Sequence, residues 1–252
     1  MKSLKILIIV ILTTAASFTV AQTTDSLKEN SKPDSLTIPD GMTGEKVIAN
    51  YVDAIGGAEN LSRIVDRTTV MRGVVQGVNI IIVSYQKAPN KLKQEIRAGE
   101  VDQKVYFNGE RGVQIIGDKK TEIDSAELEK LKIESTIILL LELDHYGVKT
   151  NIVGIEPVNK KPAYKIEMTL PSGTKWTQFY DKETFLKVKE IKAISTPQGS
   201  FTHEVLYSDY KVIEGLKYAF KITQKIGGQS MDFNVSSIKI NSGLSDREFE
   251  IE

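Results

Sequence analysis

VGIEPVNKKPAYKIEMTLPSGTKWTQFYDKETFLKVKE, residues 153–190, decides the fold. It reads as four strands joined by three turns. In AYKIEMTL, Tyr164, Ile166, Met168 and Leu170 fall on one face, and Lys165, Glu167 and Thr169 on the other. Period-2 alternation of this kind marks a half-buried strand. The breaks are short and chemically specific. Asn159-Lys160-Lys161-Pro162 and Pro171-Ser172-Gly173 supply turn residues with fixed or positive φ. Asp181-Lys182-Glu183-Thr184 has the length of a hairpin loop. A parallel crossover needs a dozen or more residues, so loops this short force antiparallel neighbours. The segment is an antiparallel meander.

The same pattern extends on both sides. Before it, Arg67–Val75, Gly77–Lys87, Lys91–Ala98, Val101–Asn108, Gly112–Gly117 and the weaker Lys119–Ile123 read as strands between Gly, Pro and Asn breaks. After it come Phe201–Tyr210, Leu216–Gly227 and Gln229–Ile240. In the last of these, Met231, Phe233 and Val235 share a face. The phase slips at Ser236-Ser237, which predicts a bulge. Val78–Tyr85 (VNIIIVSY) is apolar on both faces, with Val78, Ile80 and Ile82 on one and Ile81, Val83 and Tyr85 on the other, and so needs cover on both. About ten or eleven strands are expected in one domain. An open sheet that large curls or closes to protect its edges. The expected class is mainly β (α+β), a single curved antiparallel sheet or half-open β-barrel.

Two helical regions are available to cover it. Gly44 to Ile64 carries Val47, Ile48, Tyr51, Val52 and Ile55 on one face. Thr43 stands as N-cap and Gly56-Gly57 as terminator. Asp124 to Tyr146 begins with a capping-box-like Asp124/Glu127 pair. Its Ile137–Leu143 stretch is apolar almost all round and far too short to span a bilayer.

The first 21 residues read as a cleaved secretory signal peptide: Lys2 and Lys5, an apolar Ile6–Phe18 run, then Thr19-Val20-Ala21. Residues 22–42 read as a disordered polar linker, with a near repeat of Asp25-Ser26-Leu27 and Asp34-Ser35-Leu36 that chance in a biased segment explains best. Residues 43–252 form the domain, delivered to the periplasm without an integral membrane span. The chain has 252 residues and 33 charges of each sign. Losing two lysines with the leader leaves 31 against 33. That balance gives no electrostatic case for nucleic acid. Absence of cysteine excludes disulfides, thiolate zinc, iron–sulfur clusters and cysteine nucleophiles together.

Catalysis has little to work with. His145 and His203 are far apart in sequence, and no nucleophile elbow, phosphate loop or dinucleotide fingerprint is present. His145 reads as a residue at a helix C-terminus and His203 as a sheet position. No catalytic group, metal set or cofactor is expected. What remains is apolar surplus. Ile80, Ile82, Met168, Trp176, Tyr180, Phe220 and Phe233 from the strands, with Ile137, Leu140 and Leu141 from the second helical region, are the candidate lining of a hydrophobic cavity. Two alternatives stay open. Either the helices fill the interior, giving an envelope interaction or scaffold module, or space remains for an apolar guest.

YVDAIGGAENL (51–61), FYDKETFLKVKE (179–190), SDYKVIEGLKYAFKITQ (208–224) and SIKINSGLSDREFEI (237–251) resemble the LolA-like superfamily, and in particular its exported outer-membrane lipoprotein-sorting branch in Gram-negative bacteria. With the strand order they cover nearly all of the mature domain. The resemblance implies a half-open antiparallel barrel with helices closing its concave face over a cavity for acyl chains. It implies a non-catalytic carrier of a lipid or acylated lipoprotein, with an envelope protein as a possible partner. The ligand-gating arginine of the lipoprotein chaperone has no convincing counterpart by position.

Overall fold

The computed structural model describes residues 37–196 and 199–251. The expected signal peptide, most of the expected linker and both Asp-Ser-Leu triplets lie outside them. Helix α1 (Gly44–Ala54) starts where Thr43 accepts a hydrogen bond from the Lys46 amide. Its buried face is Val47, Ile48 and Val52. Gly56 and Gly57 then take φ 129 and 89, and a short α2 (Ala58–Ser62) follows. Gly56 cannot be anything else, because a Cβ there would collide with the carbonyl oxygen of Gly215.

Six strands come next: β1 (Asp66–Val75), β2 (Val78–Lys87), β3 (Lys91–Ala98), β4 (Val101–Phe107), β5 (Gly112–Ile116) and β6 (Lys119–Glu122). Helix α3 (Ser125–Ser135) interrupts them, with Asp124 accepting from the Glu127 amide as its cap. The meander is β7 (Lys149–Val158), β8 (Lys161–Thr169), β9 (Lys175–Asp181) and β10 (Lys187–Thr196). Then β11 (Gly199–Ile213), β12 (Leu216–Ile226) and β13 (Gln229–Ile240) complete one antiparallel sheet. Its order is β6-β5-β4-β3-β2-β1-β13-β12-β11-β10-β9-β8-β7. The two halves of the chain meet where β1 pairs with β13.

Three expectations need correction. The sheet has thirteen strands among the described residues, not ten or eleven. It does not close into a barrel, because β6 and β7 remain separate edges. Each edge is protected by other means. β6 is only Lys-Lys-Thr-Glu, short, charged and exposed, which discourages strand addition. β7 packs against α1, whose Gly44 approaches so closely that a Cβ would lie 3.0 Å from the Thr150 carbonyl carbon. Third, the second helical region stops early. α3 ends at Ser135, Thr136 is extended, and Leu139–Leu141 forms a single 3-10 turn. The Ser135 hydroxyl bonds to the Asn90 carbonyl at 2.7 Å, and that of Thr136 to the Lys132 carbonyl at 2.8 Å. Two side chains competing for backbone partners, followed by β-branched Ile137 and Ile138, stop the helix. His145 therefore lies in a turn, its ring edge-on to Tyr146 at 5.0 Å.

The expected bulge is present. Val70 faces Ser237 and Met71 faces Val235, so Ser236 is the extra residue. The turn readings also hold: Asn159 and Lys160 take φ 50 and 68. The expected buried face of β8, Tyr164, Ile166, Met168 and Leu170, is buried throughout and packs with Val47 and Ile48 of α1. On β2, Ile80 and Ile82 are buried, whereas the opposite face is only half covered. Tyr85 there lies under the Lys93 ammonium at 5.0 Å, an aliphatic stem serving as cover.

Candidate functional site

Strand register divides the concave face into layers. At one end Ile80, Ile82, Ile96, Ala98, Ile194, Ile226, Met231 and Phe233 pack into a solid cluster. One step along each strand the residues become polar: Ser84 and Gln94 on β2 and β3, Gln178 on β9, Glu190 and Lys192 on β10, His203 on β11, Gln224 on β12. A further step brings aromatic rings, Tyr180, Tyr207 and Tyr210, facing Tyr51 of α1 and the Leu139–Leu141 turn. Tyr51 and Tyr180 meet at 5.1 Å between ring centres.

Two phase breaks build this arrangement. Lys187 pairs with Tyr180 and Lys189 with Phe179, so Val188 is an extra residue in β10. The bulge puts Lys187 on the same face as Glu190 and Lys192, although its sequence parity is opposite. Val188 and Ile191 instead join Phe179 and Leu206 on the outer face. In β11, Asp209 takes φ 54. Tyr207 and Tyr210 thereby both face inward, three positions apart, and Ala219 lines the cavity opposite Tyr210.

The polar layer is an ion-paired network. Glu190 lies 3.3 Å from the Lys187 ammonium and 3.0 Å from that of Lys192. Lys192 also reaches Glu134 of α3 at 2.9 Å and sits 4.1 Å from the centre of the Trp176 ring. Gln178 donates to Glu190 at 2.7 Å and accepts from the Tyr180 hydroxyl. Burial alone would raise the Glu190 carboxyl; the two ammoniums outweigh it and hold the group well below the usual carboxylate range. Burial likewise opposes charge on Lys187 and Lys192, and Glu190 and Glu134 more than compensate, so both stay protonated. For His203 the compensation from Glu190 and Gln224 is too small. Burial and the Lys192 charge push it down to about 4, so it is neutral at pH 7. Burial pushes the Tyr207 hydroxyl up to about 12.

Between sheet and cover lie two lobes, of ≈420 and ≈310 Å³. They share Tyr51, Arg67, Leu140, Lys187, Tyr207 and Ile222 as a common wall. The larger lobe holds the polar layer; the smaller has an aliphatic wall of Ile55, Leu61, Ile137, Ile222, Val235 and Ile238. Each falls in the roughly 300–1,000 Å³ range of small-molecule sites. A third recess of ≈550 Å³ lies between α1 and the Leu141–Thr150 segment.

Five of the ten expected lining residues meet at this cavity: Ile137, Leu140, Met168, Trp176 and Tyr180. Leu141 lines the third recess instead. Ile80, Ile82 and Phe233 are spent in the solid cluster. Phe220 is turned away by the phase break opposite Asp209 and lies against the Lys211 ammonium at 4.7 Å. The wall is also less apolar than expected. Of its ionisable residues, Lys187, Glu190 and Lys192 were legible only through the parity conflict in β10, where Val188 and Ile191 cannot share an outer face without a slip; Arg67 on β1 and His203 on β11 carry no such signal.

Among solved structures, the chain is similar to a LolA superfamily protein from Nitrosomonas europaea, with TM-score 0.55 and 13% identity over 84% of this chain and 99% of that one. A putative outer membrane lipoprotein-sorting protein domain from Vibrio parahaemolyticus gives 0.52 and 13%, over 82% and 95%. A DUF1329 family protein from Desulfovibrio piger gives 0.54 and 14%, over 82% and 97%. No family model and no curated protein matches the sequence. Near-complete coverage at such low identity speaks for architecture alone, and the architecture of this chain is LolA-like.

Proposed function

We propose that this protein is a periplasmic, non-catalytic binder or carrier of a lipid or of a lipoprotein acyl chain. The carrying observation is the two-lobed cavity between the concave face of the sheet and the Tyr51–Leu140 cover. Support also comes from the signal-peptide reading of residues 1–21 and from similarity to a protein described as a lipoprotein-sorting domain. No helix among the described residues is long and apolar enough to cross a membrane.

Energetics favour a carrier over a permanent lipid holder. A buried CH₂ contributes about 0.8 kcal/mol, so a sixteen-carbon chain contributes on the order of 12 kcal/mol. Association costs about 4–15 kcal/mol. One chain in a cavity this size is held weakly and reversibly. The alternative, an envelope interaction module with a filled interior, fits only the solid end of the sheet around Ile82 and Phe233.

Native protein purified without detergent, extracted and subjected to lipid mass spectrometry, should yield co-purified lipid. After delipidation it should bind a fluorescent fatty acid. An extract without lipid, combined with no fluorescent binding, refutes the carrier reading.

A further inference from the structure

The cavity wall carries more charge than an acyl chain needs. In the larger lobe Arg67, Lys187 and Lys192 face only Glu134 and Glu190 as counter-charges, three cations against two carboxylates. The two lysines are engaged by those carboxylates. Arg67 is not. One Nη donates to the Gln86 side chain, the guanidinium lies 5.7 Å from the centre of the Tyr218 ring, and Nε has no partner among the described residues. Oε1 of Gln94 and Nε2 of His203, on the same wall, are also buried without a partner. A buried polar atom left unpaired costs about 1–3 kcal/mol. Oε1 of Gln94 is an acceptor and offers an anion nothing; the charged Nε–H of Arg67 is a donor, and the open lobe it faces suits a polar guest with negative charge. The adjoining lobe, reached past Arg67 and Lys187, has an aliphatic wall.

We propose that the cavity selects an anionic amphiphile. Its carboxylate or phosphate head sits in the polar lobe against Arg67 and Lys187, and its chain runs along Ile55, Ile137, Ile222 and Ile238 in the other. This rests on the carrier reading and narrows its ligand class. A neutral lipid of the same length fills the same space but leaves the Arg67 charge desolvated without a counter-ion, which is discrimination by an uncompensated charge. Lys192 takes no part, because Glu134 and Glu190 already neutralise it.

The test compares laurate, dodecyl phosphate and dodecanol on delipidated protein by calorimetry, below their aggregation limits. Both anions, or one of them, should bind on the order of tenfold tighter than the alcohol, as a charge-assisted hydrogen bond provides. The preferred anion identifies a fatty-acid or a phospholipid-type head. Arg67→Gln should remove that preference while changing dodecanol binding less than about twofold. Equal binding of all three by the native chain overturns head selection and leaves the carrier reading standing. Binding of none of them overturns head selection, and together with a lipid-free extract it overturns the carrier reading as well. Because the native chain alone discriminates these outcomes, the proposal survives any folding defect in the variant.

Discussion

Glu190→Gln should be the most damaging single-atom change in the concave face. Glu190 accepts from Gln178 at 2.7 Å and pairs with Lys187 and Lys192 at 3.3 and 3.0 Å. Its side chain is 9% exposed and that of Lys187 19%. A glutamine keeps the shape and an acceptor for Gln178 but removes the only carboxylate paired with Lys187 among the described residues. Breaking a buried pair by removing one partner costs about 3–5 kcal/mol. Lys192 retains Glu134 at 2.9 Å, which puts the expected loss at the lower end, about 3 kcal/mol. The only tryptophan of the chain, Trp176, touches Lys192 in this network, so urea unfolding followed by its fluorescence reads the event directly. Adding Lys187→Met should restore part of the loss, because the stranded ammonium is then gone. The carboxyl is held below its ordinary value of 4.5, so its contribution is complete above pH 4.5 and fades as pH falls below it. The gap between native chain and variant should therefore be constant near neutrality and shrink in acid. A loss under about 1 kcal/mol at pH 7, or a double variant no more stable than the single one, refutes the account of this layer as a buried, mutually dependent ion network.

Other outcomes follow from single contacts. His203 is lowered from 6.5 to about 4 in the fold, so the unfolded chain binds the extra proton first and stability should fall as pH drops from 6.5 towards 4. His203→Gln should flatten that slope, and an NMR titration of His203 near its ordinary value would remove the basis for it. Gly56→Ala should cost at least about 2 kcal/mol, from the left-handed backbone and the collision with Gly215; an unchanged urea midpoint contradicts this. Asp66 accepts from the amides of Ser242, Gly243 and Leu244 at 2.8, 2.9 and 3.1 Å and from the Ser242 hydroxyl at 3.0 Å. Asp66→Ala should cost about 2–4 kcal/mol and open the segment after Ile240 to limited proteolysis. Resistance equal to that of the native chain would show that Phe249, fully buried, suffices to hold it.

What the sequence reveals and what it conceals divide along one physical line. Alternation in Tyr164–Leu170, turn chemistry at Asn159-Lys160 and the slip at Ser236 are local, set by covalent geometry and burial of one face, and each appears where the pattern places it. The site depends on register, which is a relation between strands. Gln178 and Glu190 are single polar residues inside strands, and only the β9–β10 pairing sets them opposite each other. The bulge at Val188 then brings Lys187 to their face. Phe220 is misplaced and Tyr210 missed in the same manner, because one left-handed residue, Asp209, shifts the phase around them. The helix error has another origin. Apolar content in Ile137–Leu143 signals burial without specifying shape, and Ser135 and Thr136 decide shape by hydrogen-bonding backbone carbonyls. A charged residue inside a predicted strand thus carries more information than an apolar one. An isoleucine is buried in any of several packings, but Glu190 is tolerated only where register supplies two cations. Strands of this kind are best read by asking which charges need each other, and the cavity then lies where those charges converge.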